Sequence, residues 1–187
     1  EFLWCLYFLF LFLVYSFLLD LLFVCQKNNL EWWKMAELSK LDEYWKNFLI
    51  KNNRDEDEKC SGDLTFDGKC FENAQINSIV LAGQKTAFFT TLANYTIDNE
   101  PLPLMGELYL LVDVQNNPVC VLEIDSVNIL PFNEVTLEMV NREGECQNLD
   151  EWKEKMQEVI EDEAAIYGYE FTPDIRLVYQ TFKVIYK

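Results

Sequence analysis

Hydrophobic and polar positions divide the chain into a continuous apolar opening, a periodic middle and a long alternating end. Residues Phe2 to Leu19 are apolar or aromatic apart from Ser16; Asp20 interrupts the run and Leu21 to Cys25 resume it. As a helix that stretch is long enough to cross a bilayer core of ~30 Å. From Ser39, a natural N-cap, apolar residues recur at Leu41, Trp45, Phe48 and Leu49, predicting a helix to about Lys51. Asn52 to Asp63 is polar and charged and reads as a loop, followed by an extended piece at Leu64 to Phe66 and a turn at Asp67-Gly68. A second helix is expected from Phe71 to Ala82, with Ile76, Ile79 and Val80 as its buried stripe. Gly83 closes it, because glycine turns left-handed without a Cβ clash.

Ala87 to Leu92, rich in aromatic and β-branched residues, predicts a strand, so Lys85 stands at a helix-to-strand corner. Asp98 to Pro103 reads as a loop before the strand around Glu107–Asp113, and Asn116-Asn117-Pro118 turns the chain into a long strand, Val119 to Leu130. The alternation of that strand shifts near Ser126, as at a bulge. Asn133 is expected to cap a short helix through Val140. Leu149, Trp152, Met156, Val159, Ile160 and Tyr167 then mark an amphipathic helix closed by Gly168. Ile175 to Tyr186 predicts a last strand with Gln180 among the apolar residues of one face, either an edge or barrel-mouth position or a pocket-floor group. Long strands with short helices between them predict an α+β fold: a small curled sheet or barrel with helices outside it, rather than a doubly wound parallel sheet.

Charge narrows the function. The 187 residues carry 15 basic and 32 acidic side chains, a net charge of −17. Such a chain repels phosphate backbones at long range, so no DNA partner is expected. With no histidine and no C-x-x-C pair among the six cysteines, neither a metal site nor any other cofactor is expected. The domain reading is a hydrophobic leader over 1–34, either upstream or appended sequence or a membrane anchor, and a folded domain over 35–187 that starts at Met35-Ala36-Glu37. The flanking lysines Lys27 and Lys34 place that domain in the cytoplasm, tethered to membrane only if residues 2–25 are a true anchor. Free thiols suit that compartment, Cys60–Cys70 pairing being the alternative in an oxidising one.

Five words in order carry a resemblance: Gly83-Gln84-Lys85-Thr86; Pro101-Leu102-Pro103 with Gly106; Pro131-Phe132-Asn133-Glu134-Val135-Thr136; Glu143-Gly144-Glu145 with Leu149-Asp150-Glu151-Trp152; and Tyr179-Gln180-Thr181-Phe182 leading to Tyr186. Together they resemble the bacterial ASCH (activating signal cointegrator homology) domain, from about Leu41 to the C-terminus. The resemblance implies a PUA-like small β-barrel whose cleft takes RNA or a nucleoside-like ligand, with the lysine corner at its rim. Some members resemble amidohydrolases that remove an acyl group from N4 of cytidine with a lysine, a threonine and a glutamate. By position these imply Lys85 and Glu143 as catalytic candidates, but the threonine position is Phe88, which offers no nucleophile.

The candidate ligand contacts are Lys85, Thr86, Thr90, Tyr109, Glu143, Glu145 and Gln180. Lys85 beside Glu143 can hold an anionic group or act as a base, or be an ordinary ion pair. Thr86 and Thr90 offer hydroxyls, Glu145 a second carboxylate and Tyr109 a ring on which a base can stack, each with packing or solvation as its plainer reading. Three functions remain open: a binding module for RNA or a nucleoside-like ligand, an amidohydrolase acting on an acylated nucleoside, and a membrane-tethered interaction domain.

Overall fold

The computed structural model describes residues 40–66, 73–97 and 99–187. The chain divides at Glu43/Tyr44, and the unit Tyr44–Lys187 carries the sheet. The hydrophobic run over 2–25, Ser39, the Asp67-Gly68 turn and Cys70 lie outside the described residues. Among the described residues no helix is long and apolar enough to cross a membrane.

Five strands form one sheet: β1 (Gly62–Leu64), β2 (Ala87–Thr91), β3 (Leu108–Val112), β4 (Pro118–Pro131) and β5 (Arg176–Tyr186), in the order β1-β3-β4-β5-β2. β1 joins β3 in parallel and the other pairings are antiparallel. β4 and β5 are long and central; β1 and β2 are the two edges. The sheet curls into a half-barrel, so that Phe66, just past β1, packs its ring against Phe88 of β2 with centroids 5.3 Å apart. The irregularity expected near Ser126 is a register shift between Ile124 and Ser126 against β5. Such a shift adds twist to a strand that must bend with the sheet.

Each face of the sheet carries its own core. On one, Ala87, Phe89, Leu177 and Tyr179 pack with Val140 of α4 (Leu137–Glu143) and Trp152 and Ile160 of α5 (Leu149–Tyr167). On the other, Phe88, Leu122, Ile124 and Phe182 pack with Ile76 and Val80 of α2 (Asn73–Leu81). Being covered on both faces, β5 is buried continuously from Leu177 to Phe182, polar Gln180 and Thr181 included. Residues 40–51 are helical (α1), and Phe48 and Leu49 are the buried members of its apolar face.

Three expectations change, the first being that α4 runs on to Glu143 where a helix through Val140 was expected. Asn133 does not cap a helix: Phe132–Glu134 is a single 3-10 turn, and α4 starts at Leu137 with Thr136 accepting from the Met139 amide. Thr136 wins because its hydroxyl meets an unpaired first-turn N–H, whereas Asn133 precedes a chain that turns extended again at Val135. A further helix, α3 (Leu92–Ile97), follows β2 directly where the sequence suggested nothing regular. None of its residues is buried, so it leaves no apolar stripe to read.

Candidate functional site at the edge of the half-barrel

Two glycine-terminated helices back onto each other to build the site. α2 ends at Gly83, whose φ is 73°, and the amides of Gln84 and Lys85 both return to the Ile79 carbonyl at 2.9 and 3.1 Å. α4 ends at Gly144 with φ 78°. A Cβ on Gly144 would stand 3.0 Å from the Gln84 carbonyl oxygen at a left-handed φ, so glycine is strongly favoured at this approach. The Thr86 amide donates to the Arg142 carbonyl at 2.7 Å and locks the two turns together.

That junction sends Lys85 inward. It is 1% exposed, its Nζ donating to Glu145 Oε1 at 2.6 Å and to the Glu143 carbonyl at 3.3 Å, and lying 5.1 Å from the Phe66 ring centre. An ammonium against the last carbonyls of α4 is also favoured by the helix dipole. The expectation that Lys85 faces the Glu143 carboxylate is therefore corrected: its ion-pair partner is Glu145, and Glu143 meets it through the main chain. The Glu143 carboxyl is left differently placed. Its Oε2 is buried without a hydrogen-bond partner. Burial pushes its pKa up to about 7, with Glu145 adding to the rise while Lys85 and the Trp152 indole N–H oppose it.

A cleft of about 320 Å³ runs along the free edge of β2. Lys85, Glu143 and Glu145 line it beside the aromatic side chains Phe66, Phe88, Phe89 and Trp152. Met156 and Val159 of α5, together with Thr65 and Thr90, also line it. Both ammonium groups in the lining face carboxylates, Lys85 on Glu145 and Lys155 on Glu151 at 2.7 Å. Among the described residues no group of three or more His, Cys, Asp and Glu side chains is placed to hold a metal ion.

Of the seven ligand candidates, Lys85, Thr90, Glu143 and Glu145 meet at this cleft. Thr86 does not line it: its hydroxyl is engaged with the Arg142 carbonyl at 3.4 Å. Tyr109 lies on β3, its hydroxyl donating to Glu107 Oε2 at 3.0 Å; burial and that carboxylate raise its pKa. Gln180 is 2% exposed and donates from Nε2 to the Tyr95 hydroxyl at 3.0 Å, the same oxygen that Thr90 Oγ1 meets at 3.4 Å. It is neither an open edge group nor a cleft contact. Cys60 is a free thiol bonded through Sγ to the Gly62 carbonyl at 3.2 Å.

Sequence reasoning missed Thr65, Phe66 and the cleft side of α5. Trp152, Met156 and Val159 were visible as a helical stripe, but a stripe reads as core whether it meets another element or the wall of a cavity. Nothing in the sequence marked Phe66, whose position depends on curling of the sheet.

Comparison with known proteins agrees with this architecture. A family model described as the ASCH domain matches residues 64–186. The crystal structure of an ASCH domain from Lactobacillus crispatus JV V101 superposes with a TM-score of 0.73 at 26% identity, covering 80% of this chain and 96% of that one. A protein from Enterococcus faecalis V583 superposes with a TM-score of 0.71 at 30% identity, covering 80% and 90%. No curated, functionally described protein matches.

Proposed function

The chain belongs to the ASCH domain family, and from that premise we propose that it binds a small, neutral, nucleoside-like ligand in the cleft along β2. The observation that carries this reading is the cleft itself: about 320 Å³, walled by four aromatic side chains, with Lys85, Glu143 and Glu145 as polar contacts. That volume lies at the small end of ligand sites, which span about 300–1,000 Å³. Aromatic walls suit a planar heterocycle, because every base offers a π-face for stacking. Charge favours a nucleoside over an RNA strand. The lining ammonium groups already face carboxylates, and the whole chain carries −17, so a polyanionic backbone meets repulsion without local compensation.

The test is a titration of the full chain with adenosine, cytidine, uridine and a short single-stranded RNA, read by tryptophan fluorescence, since Trp152 is part of the wall. The expected result is saturable binding of at least one nucleoside, lost in Met156→Trp, which fills the cleft. Tighter binding of the RNA with a steep salt dependence, or no binding of any nucleoside, overturns the reading.

A second reading, hydrolysis of an N4-acylated cytidine, draws on Glu143, a carboxyl that titrates near neutrality as a general acid or base must. Phe88 supplies no nucleophile, and the Thr90 hydroxyl is engaged with Tyr95, so Thr65 is the remaining cleft hydroxyl. Absorbance-monitored hydrolysis of N4-acetylcytidine by the wild type and by Thr65→Val tests it; no turnover by the folded wild type rejects it.

A further inference from the structure

Two acceptors meet the buried Lys85 ammonium beside the cleft, and a single carboxylate, Glu145, balances its charge. Glu145 Oε1 pairs with Lys85 at 2.6 Å and the Glu143 carbonyl takes a second N–H at 3.3 Å. The Glu143 carboxyl is then a second acid in a space that holds one positive charge. Ionised, it would carry negative charge on a buried Oε2 that no donor meets, with a like charge nearby on Glu145. Protonated at Oε2, it has an O–H there that no protein acceptor meets and a C=O at the other oxygen.

We propose that the cleft takes its ligand with Glu143 as the neutral carboxylic acid, which makes a two-point hydrogen bond to a heterocycle presenting an N–H donor beside a lone-pair acceptor, so that binding requires the proton. This rests on the cleft being the ligand site, and it adds the recognising edge and its proton. An acid and a cis donor–acceptor edge close a ring in which the O–H donates to the ligand acceptor and the C=O accepts from the ligand N–H. An ionised carboxylate accepts only, so it meets half of that edge and repels the other half.

The groups facing Glu143 from the surrounding elements pull in opposite directions, and burial decides between them. Lys85, from the corner before β2, favours the charge, and Glu145, beyond α4, opposes it. From β5, Tyr179 is itself a buried phenol whose hydroxyl has no partner and whose pKa burial raises; Arg142 lowers it, and Glu138 and Glu143 raise it further. From α5, the Trp152 indole hydrogen-bonds the carboxyl and favours its charged form, and Lys155 is paired with Glu151. Burial outweighs the rest and holds the carboxyl at about 7.

The experiment measures the dissociation constants of adenosine, cytidine and uridine as a function of pH for the wild type, Glu143→Gln and Glu143→Leu. In the wild type, affinity is expected to be constant in mild acid and to weaken about tenfold per pH unit well above neutrality, since one proton is taken up with the ligand. Glu143→Gln presents a donor and an acceptor at every pH, so its dissociation constant, whatever its value, has no such slope. Glu143→Leu does not bind. In ligand-free protein, the infrared band of a protonated carboxyl is expected in the difference between wild type and Glu143→Gln in mild acid. A wild-type affinity that does not change with pH, a slope that persists in Glu143→Gln, or absence of the band overturns this inference while leaving the cleft as a binding site. No nucleoside binding at any pH overturns both.

Discussion

The edge strand β2 has two polar clusters beside it, and they differ in how completely they are satisfied. In one, Thr90, Tyr95 and Gln180 form a chain of neutral hydrogen bonds around a single phenolic oxygen. In the other, Lys85, Glu143 and Glu145 bring three ionisable groups together at the cleft, with one carboxylate oxygen left without a partner. A satisfied neutral chain fixes the packing of α3 on the sheet and leaves no capacity for a ligand. An unsatisfied charged cluster does the reverse: it stores a demand for hydrogen bonds that a ligand can meet. Gln180, the polar residue most conspicuous in the sequence, turns out to belong to the first kind.

The largest expected effect that sharpens this contrast is Lys85→Met. It removes the only cation from the charged cluster and leaves Glu145 uncompensated, costing roughly 3–5 kcal/mol of stability in urea unfolding. A much smaller loss would mean that the cluster is solvated and resembles a surface ion pair. The pH dependence of stability comes next. Glu143 has an ordinary value of 4.5 and a folded value of about 7. Between those values the unfolded chain has lost the proton and the folded chain keeps it, so the stability that Glu143 contributes below this window is lost as pH rises through it. Relative to Glu143→Gln, the wild type is expected to lose ~1–3 kcal/mol across the window and then level off. Parallel curves for the two proteins would place the charged cluster with the satisfied one.

Gly144→Ala tests the junction that aims Lys85. A left-handed residue with a Cβ 3.0 Å from the Gln84 carbonyl is expected to cost about 1–2 kcal/mol and to weaken nucleoside binding as the corner shifts. The smallest effect is expected for Gln180→Met, about 0.5–1.5 kcal/mol, because an apolar residue of similar shape replaces one neutral hydrogen bond. Nucleoside affinity should not change, since Gln180 does not line the cleft. A large loss of affinity there would erase the distinction between the two clusters.

Local signals were enough to place most elements. β5, with its alternation, β4 with its shift at Ser126, and α5 with its Gly168 cap all stand where residue patterns put them, because propensity, turn chemistry and burial agree in those segments. The start of α4 and the whole of α3 were not legible. Thr136 and Asn133 are comparable caps in isolation, and α3 buries nothing that would give it a period.

For the site, the sequence determined the glycine turn at Gly83 and the lysine that follows it, since a left-handed turn at glycine and the charge of Lys85 are properties of single residues; the helix end at Gly144 was not read from it. It did not determine that Lys85 pairs with Glu145 rather than with the carboxyl of Glu143. Neighbours along a chain share a loop, but which one reaches a distant ammonium depends on where the left-handed turn at Gly144 sends each side chain. Nor did it determine that Phe66 closes the cleft against Phe88, because that contact exists only when the sheet has curled far enough to bring its two edges together. Conformation one residue at a time is written in the sequence; proximity between residues tens of positions apart, and the desolvation that sets the Glu143 proton, come from packing.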